Sequence, residues 1–176
     1  MLFYSDRENG YFLSNFYPHN RPQTMVLTFE GVNYPTSEHL YQALKFKADD
    51  ESGRSWRLLI SQANTPFISK YLAHQVVAPR PCYQPWQQRY SDLAAGYHGK
   101  VALAGDIEDP VFRLAIMEIA LKVKFAIPEL RTQLLATTGE LIEDSKDSFW
   151  GWGADHKGWN CLGRLLVQIR EEMREI

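Results

Sequence analysis

The stretch TMVLTFEGVNYPTSEHLYQALKF, running from Thr24 to Phe46, decides the fold. Strand-forming residues lie on either side of Glu30-Gly31, which predicts two short strands, Thr24–Phe29 and Val32–Tyr34, joined as a hairpin. Pro35-Thr36-Ser37 then opens a helix. Thr36 or Ser37 supplies the capping oxygen, and the run that follows is free of alternation and rich in helix formers. Working outward, Leu2–Tyr4 reads as another short strand. Residues 51–63 form a helix with Trp56, Leu59, Ile60 and Ala63 on one face. Thr65-Pro66 is a cap followed by proline at the first helical position, opening a helix to about Gln75. Residues 78–99 hold Pro79, Pro81, Pro85, Gly96 and Gly99, and read as a long connection with one helical segment after Pro85. Asp109-Pro110 repeats the cap-plus-proline device and opens the longest helix, to about Phe125. Its expected core stripe is Val111, Leu114, Ala115, Leu121 and Phe125. Pro128 opens a short helix closed by Gly139. A last helix from about Leu162 to Glu175 carries Leu162, Leu165, Leu166, Ile169 and Met173 at helical spacing.

Six or seven helices and three or four short strands result, with the strands early and not alternating with the helices. That excludes a doubly wound parallel sheet. It predicts a mainly α (α+β) fold, a multihelical single domain over residues 1–176 with a small N-terminal antiparallel β-sheet or hairpin. The length of 176 residues fits one domain. Lys plus Arg is 19 and Asp plus Glu is 21, a net charge of −2, which disfavours a nucleic-acid coat protein but leaves a small nucleic-acid substrate open. Cys82 and Cys161 form no CxxC pair, which argues against a zinc ribbon or a disulfide scaffold. The five histidines, at 19, 39, 74, 98 and 156, show no ligand spacing, so no metal and no cofactor is expected. Neither a signal peptide nor a membrane-spanning run is legible, and a cytoplasmic protein without membrane contact is the expectation.

Four constellations bear on chemistry. On the helix after Pro35, Glu38, Gln42 and Lys45 fall at about 0°, 40° and −20° around the axis, one narrow polar stripe bordered by Tyr41. Leu40, Ala43 and Leu44 form the packing side. By periodicity alone the stripe reads first as a solvated face. Its functional reading is a carboxylate, an amide and an amine aimed at one pocket, with Lys45 a nucleophile if burial lowers its pKa. Second, Asp147-Ser-Phe-Trp150-Gly151-Trp152-Gly153 interleaves two tryptophans with two glycines beside a carboxylate. Such aromatics either plug the core or offer a flat face to a base or sugar. Third, Gly158-Trp-Asn160-Cys-Leu-Gly163 leads into the last helix. Asn160 reads as its N-cap, and the alternative is a phosphate held on free N–H groups, with Gly158 and Gly163 keeping the approach open. Fourth, Leu13-Ser14-Asn15-Phe16-Tyr17-Pro18 reads by itself as a loop entering a turn. GxSxG, P-loop and GxGxxG signatures are absent.

Taken in order, these pieces resemble one family. They run Gly10…Leu13-Ser-Asn-Phe-Tyr-Pro18, Gly31…Pro35-Thr-Ser-Glu38-His-Leu-Tyr41-Gln42-Ala-Leu-Lys45-Phe46 and Met117…Lys124-Phe125. They continue with Leu134-Leu135…Thr138-Gly139, Asp147…Trp150-Gly-Trp-Gly153 and Gly158-Trp-Asn160-Cys-Leu-Gly163…Leu166…Arg170. This is similar to the YbiA-like, or NADAR, family over nearly the whole chain. The resemblance implies a mainly helical fold with a small sheet and hydrolysis of an N-glycosidic bond to ribose. One branch cleaves phosphoribosylated intermediates of riboflavin synthesis, and another removes ADP-ribose from guanine. The resemblance assigns catalysis to Glu38, Lys45 and Asp147, and matches Trp150 to the motif aromatic. Ser14, Asn15, Phe16, Tyr41, Gln42, Gly151, Asn160 and Gly163 join Trp150 as expected substrate contacts. Asp144 stands as an alternative to Asp147. Where the family has a tryptophan upstream of Met117, this chain has Val111 and Phe112. Residues 78–109 match no part of the pattern.

The expected partner is therefore ADP-ribosylated guanine, in DNA or as a nucleotide, or a phosphoribosylated small molecule. A module that binds ADP-ribose without cleaving it is the rival class. Two mechanisms fit the residue types. In one, carboxylates stabilise the cationic sugar and protonate the leaving base. In the other, Lys45 attacks the anomeric carbon and forms a Schiff base with the opened sugar. Trp150 and Trp152 are expected on the base, Asn15 and Gln42 on the ribose, and the helix start at Asn160 on a phosphate.

Overall fold

The computed structural model describes residues 1–4, 9–20, 25–77, 82–97 and 99–175. Thr24, Pro79, Pro81 and His98, on which expectations were placed, lie outside the described residues. In chain order the elements are β1 (Leu2–Phe3), a 3-10 turn (Tyr11–Leu13), β2 (Leu27–Phe29), β3 (Val32–Tyr34), α1 (Ser37–Ala43), α2 (Glu51–Ser61), α3 (Pro66–Val77), α4 (Pro85–Ala95), α5 (Pro110–Phe125), α6 (Pro128–Ala136), β4 (Ile142–Glu143) and α7 (Cys161–Arg174). The fold is thus mainly helical with a small antiparallel hairpin. Contacts divide the chain into two compact units, Met25–Ala120 and Met1–Thr24 with Leu121–Ile176, the boundary falling inside α5.

In the unit Met25–Ala120, the β2–β3 hairpin pairs Leu27 with Tyr34, Thr28 with Asn33 and Phe29 with Val32. Both turn residues have positive φ, Glu30 at 49° and Gly31 at 76°. That backbone twist matches the strands, and glycine takes the second position without steric cost. Leu27 and Tyr34 face inward, while Thr28 hydrogen-bonds Asn33 outside. The Thr36 side chain caps α1 by accepting from the His39 amide at 3.3 Å. The His39 ring spans from the Thr36 hydroxyl (2.8 Å) to the Ala63 carbonyl (3.0 Å), so it is a core histidine that ties α1 to the end of α2. Asp50 caps α2 through the Gly53 amide and Asp109 caps α5 through those of Val111 and Phe112, each the local chemistry that stops a helix from fraying. Helices α2 and α3 and the hairpin pack around α1. Trp56, Ile60 and Leu72 are buried there, the two aliphatic side chains each contributing about 1.5–3 kcal/mol by removal of apolar surface from water.

In the other unit, β1 does not join the hairpin. It pairs in parallel with β4, Leu2 beside Ile142 and Phe3 beside Glu143, so the small-sheet expectation resolves into two separate ladders. No local turn specifies a partner so distant in the chain, which is why β4 went unread. The stripe expected on α5 is corrected in its first half. Val111 and Ala115 are exposed and Leu114 is half-buried, while Ile116, Met117, Ala120, Leu121, Lys124 and Phe125 are buried. Leu121 and Phe125 thus face inward as expected, while in the first half of the helix Ile116, Met117 and Ala120 take the place of Val111, Leu114 and Ala115. Helix α6 ends at Thr137 rather than at Gly139, whose φ of 63° turns the chain beyond it. Along α7, Leu162, Leu165, Leu166 and Ile169 are buried as expected. Its Arg170, also buried, donates to the Thr137 hydroxyl and the Gly139 carbonyl.

Candidate active site

Every residue of α1 is buried, including the polar stripe: Glu38 is 5% exposed, Gln42 1%, and Lys45, just past the helix end, 7%. The solvated-face reading is thereby overturned. Periodicity finds two faces, but α1 is short enough to be covered on both. The three side chains form a chain of hydrogen bonds. The Lys45 ammonium donates to Gln42 Oε1 at 2.7 Å, and Gln42 Nε2 donates to Glu38 Oε1 at 2.7 Å. The amide thus relays between a carboxylate and an amine that make no direct ion pair. Tyr41 adds its ring face, with the Lys45 nitrogen 4.8 Å from the centroid.

Burial is the largest influence on Lys45 and lowers its pKa from 10.5 to about 8; Glu38 opposes that shift, Lys70 and Arg113 add to it, and Glu108 opposes it weakly. An amine of this kind is partly neutral near physiological pH, the state in which nitrogen is a nucleophile.

The backbone that carries Lys45 is clamped from several sides. Phe46 bridges Leu103 in antiparallel fashion, the Lys47 amide donates to Ala102 (2.9 Å), and the Ala104 amide donates to the Lys45 carbonyl (2.8 Å). Arg57 holds the Phe46 carbonyl at 2.8 Å and meets Glu30 at 2.6 Å. Gly53 lies so close to the Lys47 backbone that a Cβ there would collide with it. Sequence reading missed the segment 102–104. It bears no catalytic residue type, and its only signal is its position in a stretch without helix pattern.

In the unit formed by the two chain ends, Ser14 and Asn15 are buried and Phe16 is half-buried. Ser14 Oγ accepts from the Phe16 amide and the Tyr11 hydroxyl reaches the carbonyls of Phe16 and His19, so the segment is a tightly folded loop. Asp147 is exposed, and its Oδ1 accepts from the amides of Phe149 and Trp150, both at 2.9 Å. It therefore shapes the turn that presents Trp150. Asp144 is exposed too, and its amide extends the β1–β4 ladder by donating to the Phe3 carbonyl. Trp150 is half-buried against the edge of Phe149, and Trp152 stacks on His156 at 4.9 Å.

The reading of Asn160 is corrected. It sits at the N-cap of α7 but in the left-handed conformation, φ 51°, and its side chain makes no cap. Instead it accepts from the Glu143 amide (3.0 Å) and donates to the Leu141 carbonyl (2.8 Å). Nor does the helix start offer its first N–H groups to a phosphate. Those of Asn160, Cys161 and Leu162 donate to Gly151, Phe149 and Trp150. The glycines are packed, not open. A Cβ on Gly163 would strike Leu141 and Asn160, one on Gly158 would strike Gly151 and Trp152, and one on Gly151 would strike Glu143 and Ser145. Their small size lets backbone meet backbone, so the motif's spacing records chain crossing rather than ligand approach. Among the described residues no three His, Cys, Asp or Glu side chains gather to hold a metal, and no helix is long and apolar enough to cross a membrane.

Residues 2–174 match the model of the NADAR domain, and the chain belongs to that family. It is similar to riboflavin biosynthesis protein VVA0006 of Vibrio vulnificus, with 36% identity over 99% of this chain and 39% of that protein. It is similar also to N-glycosidase YbiA of Escherichia coli, with 29% identity over 97% of this chain and 86% of that protein. The chain thus spans about two fifths of the Vibrio protein and most of YbiA. The NMR structure of E. coli YbiA superposes with a TM-score of 0.67 at 29% identity, covering 99% of this chain and 84% of that one.

Proposed function

We propose that this protein is an N-glycosidase that hydrolyses the bond between a ribose C1 and a base nitrogen. The observation that carries the proposal is the buried Glu38–Gln42–Lys45 chain with its depressed lysine. Membership of a family with relatives named N-glycosidase supports it. A protein that only binds ADP-ribose has no use for a buried amine held near neutrality.

In this reading Lys45 acts as the neutral amine. Its lone pair forms a bond to C1 while the C1–N bond breaks, its electrons leaving on the base nitrogen, which takes a proton from an acid. The new C1–NH loses a proton to Glu38, and Glu38 returns it to the ring oxygen as that oxygen departs, leaving a protonated Schiff base. Water adds to this carbon, Lys45 leaves as the amine, and the sugar closes again. Asp147 assists at the base or the ribose hydroxyls, Trp150 contacts the base, and Ser14, Asn15, Phe16, Tyr41 and Gln42 contact the sugar. Beyond Glu38, Gln42 and Lys45 these roles rest on the family resemblance, and single alanine substitutions read by substrate affinity test them.

ADP-ribosylated guanine is the first substrate proposed, with DNA as one possible carrier of the base. A second reading, a phosphoribosylated intermediate of riboflavin synthesis, is favoured by the name of the Vibrio relative. Chromatography with mass detection separates them. An oligonucleotide bearing ADP-ribosylated guanine yields free ADP-ribose and intact guanine under the first reading. If only a phosphoribosylamino-pyrimidine is cleaved, releasing ribose phosphate, the second holds. Cleavage of neither refutes the N-glycosidase.

A further inference from the structure

Lys124 is fully buried, its amino group out of reach of bulk solvent. Among the described residues it forms no ion pair. It donates to the Ser14 carbonyl at 2.7 Å, across a sequence separation of 110 residues. The rings of Phe125 and Tyr17 lie near it, with centroids at 5.2 and 5.7 Å. Burial alone lowers its pKa from 10.5 to about 7. Burying a cation without a carboxylate is costly, and a leucine or methionine would fill the same volume without that cost. What the lysine adds over an apolar residue is a long arm ending in a donor that reaches one carbonyl.

That carbonyl is the centre of the Ser14–His19 loop. It also accepts from the Tyr17 amide at 3.1 Å, and the His19 amide donates to Phe16 at 2.7 Å. Tyr11 closes the same loop through its hydroxyl, which reaches the Phe16 and His19 carbonyls at 3.1 and 2.7 Å. The loop is thus pinned from two sides by groups whose other atoms are occupied in packing.

We propose that Lys124 is a positioning residue for substrate: its ammonium holds the Ser14 carbonyl and so fixes where Asn15 and Phe16 are presented. This rests on reading Ser14, Asn15 and Phe16 as substrate contacts. Lys124 touches no reacting atom and acts through the loop.

The test is Lys124→Met, with Lys124→Gln as the second variant should the first not fold, and Tyr11→Phe as the partner. The expected result, measured well below the melting temperature, is a KM raised about tenfold with kcat within about threefold. Tyr11→Phe raises KM in the same way, and the double variant is less than additive because both loosen one loop. A lysine that serves stability alone lowers Tm and leaves KM unchanged, and that outcome overturns the proposal, as does a fall in kcat at constant KM. Amide hydrogen exchange supplies a readout that needs no turnover. Exchange at Tyr17 and His19 is expected to quicken in Lys124→Met while α7 keeps its protection. Unchanged exchange there overturns the proposal even if the wild type proves to cleave no glycoside. Quickened exchange with an inactive wild type instead refutes the N-glycosidase reading and its substrate role for the loop, leaving only the anchoring.

Discussion

The state of Lys45 makes a signed prediction about pH. With a pKa of about 8 in place of 10.5, about a tenth of Lys45 is neutral at pH 7 rather than about one part in three thousand. If the neutral amine is the nucleophile, kcat rises about tenfold per pH unit below 7, bends near 8, and is flat above about 9. The limb is then moved by Glu38, whose charge holds the lysine's pKa up. Two hydrogen bonds of 2.7 Å with one amide between them keep carboxylate and ammonium within roughly 8 Å. At an effective dielectric constant of ~20, a unit charge at that distance is worth about 2 kcal/mol, or between one and two pH units. Glu38→Gln therefore moves the Lys45 titration down, to between about 6 and 7, because the neutral form is no longer opposed. The assay is the pH–rate profile of the wild type together with the Lys45 13Cε shift by NMR in both proteins, its signal assigned by its loss in Lys45→Met. The NMR titration follows the lysine even where Glu38→Gln turns over too slowly to measure. A wild-type rate flat from pH 6 to 9, a limb near 10, or an upward shift in Glu38→Gln refutes the reasoning.

Three further outcomes follow from the packing. Gly163→Ala drives a methyl into the Leu141 carbonyl and the Asn160 side chain, and neither is free to withdraw, so a loss of about 3 kcal/mol or more and a matching fall in Tm are expected in urea and thermal melts. Asn160→Ala leaves the Glu143 amide and the Leu141 carbonyl without their partner and costs about 2–3 kcal/mol, where a mere helix cap would cost about 1, a difference that denaturant titration resolves. Gln42→Leu keeps the volume but cuts the relay, leaving Lys45 and Glu38 buried without their shared amide; kcat is expected to fall at least a hundredfold with the fold intact by circular dichroism, and a retained kcat denies the relay its role.

Local chemistry was legible in the sequence, and closure at a distance was not. Glu30-Gly31, Thr36, Thr65-Pro66 and Asp109-Pro110 each carry their instruction within three or four residues, and the hairpin and helix starts sit where they indicate. The pairing of β1 with β4, the left-handed Asn160 and the bridge from Phe46 to Leu103 depend on segments far apart in the chain, which no local pattern encodes. The site shows the same division. Helical spacing put Glu38, Gln42 and Lys45 on one stripe, and the structure joins them by hydrogen bonds. Whether that stripe met water depended on α2, α3 and the hairpin. Lys124 stands in the family motif, but its burial on the inner face of α5 reverses what a lysine on an amphipathic helix ordinarily signals. Apolar counting therefore placed Leu121 and Phe125 correctly and missed the inward face of the first half of the helix.

The most direct measurement of the central claim is borohydride trapping during turnover. Reduction converts a Schiff base at Lys45 into a stable secondary amine, and peptide mass mapping locates it. The account predicts a sugar-sized adduct on the peptide containing Lys45 in the wild type and none in Lys45→Ala. Equal adducts in both proteins, or turnover with Lys45 unmodified and Lys45→Met still active, would contradict it.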